Sequence, residues 1–180
     1  MTDLLPRRPA PALIVPTTEG ESWTLADRAP RAFSMIVVYR GRHCPLCRGY
    51  LQDLDGRLDA FAERGVDVLA VSTDTAERAD AARRDWQLER LPIGYGLDLD
   101  TARAWGLFIS AGVGTTSTGL AEPARFAEPG LFLVAPDGTL YLAAVQSMPF
   151  ARPSLADVLQ AIDFVRERRY PARGEVARAA

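Results

Sequence analysis

The chain holds two cysteines, Cys44 and Cys47, at C-x-x-C spacing, directly after a strand-like run, Phe33 to Tyr39, and a short Arg40-Gly41-Arg42-His43 turn. Two thiols one helical turn apart can pass between dithiol and disulfide, so this spacing points to redox chemistry at sulfur. Pro45 suits the first position of a helix, where its missing N–H costs nothing and its fixed φ is already helical. Cys44 then falls at the N-cap, facing unpaired backbone N–H groups and the positive end of the helix dipole. Both favour thiolate over thiol and lower a cysteine pKa from its usual value of about 8.5. Cys47 opens an apolar stripe, Cys47, Leu51, Leu54, Leu58 and Phe61, at the period of one buried helix face. The expectation is an exposed, activated Cys44 with a more buried Cys47 behind it as the resolving thiol.

His43 is the single histidine. It either lowers the Cys44 pKa or shuttles a proton, or it simply faces solvent ahead of the motif. Arg40 and Arg42 are adjacent to Cys44, and as lone arginines they read first as solvated surface charge. His43, Cys44 and Cys47 would supply three metal ligands, but structural zinc takes four and no other Cys or His exists. No metal is therefore expected. The spacing Gly112-x-Gly114-x4-Gly119 fails as a nucleotide loop, because no strand leads into it and no helical pattern follows.

The elements that must position the pair read as follows. Leu13–Pro16 and Ser22–Leu25 make a small N-terminal hairpin, after an irregular lead-in over residues 1–12. Phe33–Tyr39 is a near-continuous apolar strand, covered on both faces. The cysteine helix runs to about Arg64, with Gly65 as its C-terminal cap. Val66–Ser72 is a second buried strand, and Thr73, Asp74 and Thr75 offer an N-cap for a helix reaching Trp86. A short strand in Leu91–Gly96 precedes a helical segment, Thr101–Trp105, and residues 110–130 read as a long loop. Trp86 and Trp105 read as core or groove wall. Leu131–Val134 and Thr139–Val145 flank the turn Pro136-Asp137-Gly138 and form a hairpin. Gln146–Phe150 is a connector that edges a groove or simply packs. Ser154 caps a last helix with Leu155, Val158, Leu159, Ile162 and Val165 inward, and the tail 171–180 has nothing to bury. The order ββ, βαβαβα, hairpin, helix describes one α/β domain over residues 1–180, with a central mixed β-sheet flanked by helices.

The 180 residues, 48% apolar and 24% charged, suffice for one well-buried core. A net charge of −2 gives no case for nucleic acid or an anionic membrane. All 21 basic residues are arginine, which excludes chemistry that depends on lysine. The apolar run Ala12–Val15 is too short for a secretory signal, and no window is long enough to span a bilayer. A cytoplasmic protein is expected, where a C-x-x-C is more often catalytic than structural.

Tyr39-Arg40-Gly41-x-x-Cys44-Pro45-x-Cys47, taken with Glu128-Pro129-Gly130-Leu131-Phe132-Leu133-Val134-x-Pro136-Asp137-Gly138, resembles the peroxiredoxin-like, AhpC/TSA branch of the thioredoxin superfamily. The resemblance runs from about Leu13 to Tyr170. It implies a thioredoxin-like fold, no bound cofactor, and an external dithiol reductant such as a thioredoxin or glutathione system; a homodimer is common in that family. Against thioredoxins, Cys44 falls on the attacking cysteine, Cys47 on the resolving one, and Pro129 on a cis-proline that packs against the disulfide. Against peroxiredoxins, Cys47 takes the peroxidatic position and Cys44 replaces a threonine. The arginine of that site is then replaced by Pro129.

A peroxidatic centre needs donors that stabilise charge on the leaving oxygen, and these departures weaken it. Arg40, Arg42 or Arg48 are the candidates to make good the loss. The first expectation is thus a thiol–disulfide oxidoreductase, with Cys44 attacking a protein disulfide or oxidised thiol and Cys47 resolving. The second is a thiol peroxidase, with Cys47 attacking a small hydroperoxide and Cys44 resolving. The third is a redox-sensing or interaction module with little turnover.

Overall fold

Every residue of the strand that feeds the cysteines, β3 (Phe33–Val38), is buried. In a computed structural model describing residues 4–177, it is the middle of a five-stranded sheet. β4 (Val66–Val71) pairs with it in parallel, and β5 (Ile93–Gly94) continues in parallel beyond β4. On its other side β8 (Gly130–Val134) pairs antiparallel, followed by β9 (Leu140–Val145). The expected mixed sheet is therefore present, with order β5-β4-β3-β8-β9.

Alternation along β3 sends side chains to two cores. Met35, Val37 and Tyr39 join a cluster built with α1 (Pro45–Gly56), α3 (Ala76–Asp85) and α5 (Leu155–Arg168). Ile36 and Val38 join a second cluster with the hairpin β1 (Ile14–Pro16) and β2 (Ser22–Thr24), α4 (Leu99–Ala104) and Trp105. Truncating a fully buried leucine such as Leu51 costs about 2–5 kcal/mol in such cores.

Three expectations need correction. The cysteine helix does not run unbroken to Arg64: α1 ends at Gly56, and α2 (Leu58–Glu63) restarts after Arg57 at φ −105°, ψ 4°. Glycine weakens a helix interior by about 1 kcal/mol, while the continuing apolar stripe keeps both halves against the core. Residues 110–130 are not structureless. β6 (Ile109–Ala111) pairs antiparallel with β7 (Arg125–Ala127), and Thr115 bridges Ala121. The lead-in forms no helix or named strand before Ile14, and it lies against the sheet: Arg7 N donates to Leu140 O at 2.8 Å and Leu140 N to Arg8 O at 2.9 Å. The tail also makes contacts, since Ala172 is buried, its carbonyl accepts from Arg7 Nε at 2.9 Å, and Glu175 pairs with Arg7 at 3.3 Å. Residues 1–3 and 178–180 of those two segments lie outside the described residues.

Candidate active site

The turn between β3 and α1 is fixed by backbone. Tyr39 N donates to Val71 O at 3.0 Å and Cys44 N to Gly41 O at 3.1 Å. Gly41 sits at φ +126° against the buried Asp74 carboxylate, where a Cβ would come within 2.7 Å of Oδ1. Asp74 accepts from Arg42 N at 2.6 Å and Arg78 Nε at 2.8 Å, tying the turn to α3. Pro45 occupies the first turn of α1 and Cys44 its N-cap, at φ −92°, ψ 108°.

Both cysteines are free thiols and both are 0% exposed, so Cys44 is not the open sulfur its position suggested. The asymmetry lies in ionisation. Hydrogen bonding from the Cys47 thiol, with help from the Cys47 N–H, Arg152 and Arg40, outweighs desolvation and brings the Cys44 thiol down to about 6. Burial, and the proton it donates to Cys44, push Cys47 well above the ordinary thiol value. Ionisation of the pair is thereby favoured at Cys44 and disfavoured at Cys47.

The cation beside that charge is Arg152, on the connector between β9 and α5, a residue the sequence reading did not single out. Its Nη2 lies 3.0 Å from Cys47 Sγ and 3.9 Å from Cys44 Sγ. Its guanidinium stacks over Tyr50 of α1 at 5.2 Å, and Tyr50 donates its hydroxyl to Pro153 O at 2.9 Å. Nε and Nη1 of Arg152 are buried with no hydrogen-bond partner. Its one local sequence signal is a place two residues before the Ser154 cap of α5, whose hydroxyl accepts from Asp157 N. A cavity of about 360 Å³ opens beside it, lined by Leu46, Tyr50, Pro149, Phe150, Arg152 and Ser154 among others. A larger cavity, about 500 Å³, lies by Ser34 at the far end of β3; neither cavity is lined by a cysteine or histidine, and the smaller one adjoins the pair through Arg152.

The other expected supports lie elsewhere. Arg40 is clamped over Phe126 at 4.7 Å between Glu122 (3.4 Å) and Glu128 (3.2 Å), and reaches Cys44 only as a weaker through-space charge. Arg42 turns its side chain to Asp85 at 2.7 Å, and Arg48 is exposed. His43 is not solvent-facing but fully buried, its ring edge-on to Phe126 at 4.6 Å and its Nδ1 3.4 Å from Arg78 Nη2. Burial holds it down at about 4, so near pH 7 it is neutral and lends Cys44 no positive charge. Pro129 is buried at the entry to β8 and accepts from Gln146 N at 3.0 Å. It is not the cis-proline expected, since all peptide bonds among the described residues are trans. No group of three His, Cys, Asp or Glu among the described residues is placed to hold a metal, and no described helix is long and apolar enough to cross a membrane.

Residues 6–143 match the model of the AhpC/TSA family. Similar solved structures include a mutant of the peroxiredoxin 6 of Arenicola marina, 18% identical over 91% of this chain and 74% of that one, TM-score 0.71. The peroxidoxin BcpB of Mycobacterium tuberculosis is 16% identical over 88% and 96%, TM-score 0.67. Thioredoxin peroxidase I of Plasmodium yoelii is 18% identical over 97% of both chains, TM-score 0.70. At such identities these structures speak for the fold, which is thioredoxin-like. No curated protein matches the sequence. Because the family match covers well over half of the chain and the peroxiredoxin-like fold agrees with it, the protein belongs to the AhpC/TSA family.

Proposed function

We propose that the protein is a thiol peroxidase running a dithiol–disulfide cycle, with Cys44 as the attacking thiolate and Cys47 as both proton donor and resolving thiol. The observation that carries this reading is the split ionisation of two buried sulfurs in contact with one arginine. Cys44 Sγ attacks the terminal oxygen of a hydroperoxide; the S–O bond forms and the O–O bond breaks. The leaving alkoxide or hydroxide takes the Cys47 proton, and the Arg152 guanidinium, with Nη2 3.9 Å from Cys44 Sγ, is the cation that offsets its charge. Cys47, now a thiolate, attacks the Cys44 sulfenic acid; the S–S bond forms, and hydroxide leaves and is protonated to water.

Complete burial of both sulfurs favours a small oxidant over a protein disulfide. Thiol–disulfide exchange with small disulfides is the second reading, supported by the same low-pKa N-cap cysteine. Single-turnover kinetics on the reduced protein separate them. The peroxidase reading expects fast disulfide formation with hydrogen peroxide, and a dimedone adduct at Cys44 in Cys47→Ser. Oxidation by hydroxyethyl disulfide alone would support exchange instead. Turnover with neither would overturn both.

A further inference from the structure

We propose that the cavity beside Arg152 receives the carboxylate of a small anionic thiol, the reductant that returns the Cys44–Cys47 disulfide to the dithiol. This rests on the dithiol cycle above and names its electron donor by chemistry.

Arg152 is a largely buried cation, and no carboxylate among the described residues pairs with it. In the reduced protein its counter-charge is the thiolate of the cysteine pair, Nη2 lying 3.0 Å from Cys47 Sγ and 3.9 Å from Cys44 Sγ. Forming the S–S bond removes that charge and leaves a half-buried guanidinium without a counter-charge, two of its buried donors having no partner to begin with, a costly state. Oxidation thus creates a demand for an anion beside Arg152, whose Nη2 lies 3.9 Å from Cys44 Sγ, and carboxylates are strong partners for a guanidinium. The single acid on the cavity wall, Asp53, is already paired with Arg57 at 2.7 Å, so the cavity favours negative charge.

Size argues for a small donor. A folded dithiol protein must lay a loop against the sulfur it reduces, and both sulfurs here are 0% exposed. A cavity of about 360 Å³ admits a molecule of amino-acid or short-peptide size, with Tyr50, Pro149 and Phe150 to cover its apolar part. With its carboxylate on Arg152, the thiolate attacks Cys44 Sγ. An intermolecular S–S bond forms, the Cys44–Cys47 bond breaks, and Cys47 leaves as a thiolate beside Arg152 and takes up a proton. A second thiolate attacks the donor's sulfur, releasing the donor disulfide and restoring the Cys44 thiolate. Two thiols are oxidised and one protein disulfide is reduced.

The test compares 3-mercaptopropionate with its methyl ester as reductants of the oxidised protein, each rate scaled to thiolate content and to a free model disulfide. The expected result is a preference of about ten-fold for the acid, competition by propionate, and a ratio near one in Arg152→Gln. Propionate competition in the wild-type protein needs no variant, so the idea stays testable if Arg152→Gln does not fold. A ratio near one in the wild type, with dithiothreitol still reducing the disulfide, overturns the donor assignment and leaves the cycle standing. So does faster reduction by a thioredoxin that is unchanged in Arg152→Gln. If no Cys44–Cys47 disulfide forms on oxidation, the cycle itself is wrong.

Discussion

Arg152 Nη2 donates to Cys47 Sγ at 3.0 Å across 105 residues of sequence, and the same guanidinium lies over the ring of Tyr50, three residues beyond Cys47. The first turn of α1 is thereby held from outside by the connector that leads into α5.

Arg152→Gln removes the positive charge while keeping an amide of similar reach. The Cys44 thiolate loses an attractive neighbour, so its alkylation profile should move to higher pH by about one unit. Peroxide consumption should fall by about ten- to a hundred-fold. An iodoacetamide pH series and a stopped-flow peroxide assay check the two halves.

Alkylation of the reduced protein should label Cys44 before Cys47 and rise with pH through about 6, then level off. Stability follows the same ionisation. The folded pKa of Cys44 lies below its unfolded value, so its contribution is complete above the unfolded value and fades as pH falls through about 6. Cys47 is shifted the other way and works against stability once pH passes the ordinary thiol range. Urea midpoints of wild type minus Cys44→Ser should therefore climb from about pH 6 to about pH 8.5 and no further.

Gly41→Ala should cost about 2–3 kcal/mol in chemical unfolding, since alanine is strained at φ +126° and its Cβ meets the Asp74 carboxylate. Displacing Asp74 also strips Arg42 N of its acceptor, so peroxide turnover should fall with stability.

Glu128→Ala leaves Arg40 short of one carboxylate in a buried setting and removes the acceptor of Ser110 Oγ at 2.6 Å. A loss of about 3 kcal/mol is expected, with faster proteolysis between Gly112 and Pro123 as β6 and β7 come loose from the active-site turn. Thermal unfolding and limited proteolysis report these separately.

His43 ionises near 4 when folded and near 6.5 when unfolded, so the unfolded chain binds the extra proton between those values. Stability should fall as pH drops from 6.5 to 4 and stop falling on that account below. His43→Leu should flatten that acid limb relative to wild type while leaving the Cys44 alkylation profile in place.

Much of the frame was legible because its signals are local. The unbroken apolar run of β3, the four-three spacing from Cys47 to Phe61, Pro45 after Cys44, and Ser154 three residues before Asp157 each specify structure within a few residues. What escaped depends on partners far apart in the chain. Cys44 is fully buried, with Arg152 from the connector before α5 at 3.9 Å, and nothing around Cys44 encodes that neighbour. Arg152 looks like any surface arginine beside a proline. β6 and β7 are three residues each, too short to show an alternation, so they declare themselves only when paired. The break at Arg57 left the apolar stripe intact, and periodicity alone passed over it.

Arg7 fastens two remote stretches at once, its main chain to Leu140 and its side chain to Ala172 and Glu175. Clipping the first ten residues would therefore untether the opposite terminus as well. It would also bare the outer rim of β9 at Leu140, offering a hydrogen-bonding template to any stray extended chain, so a truncated version should clump where the intact one does not.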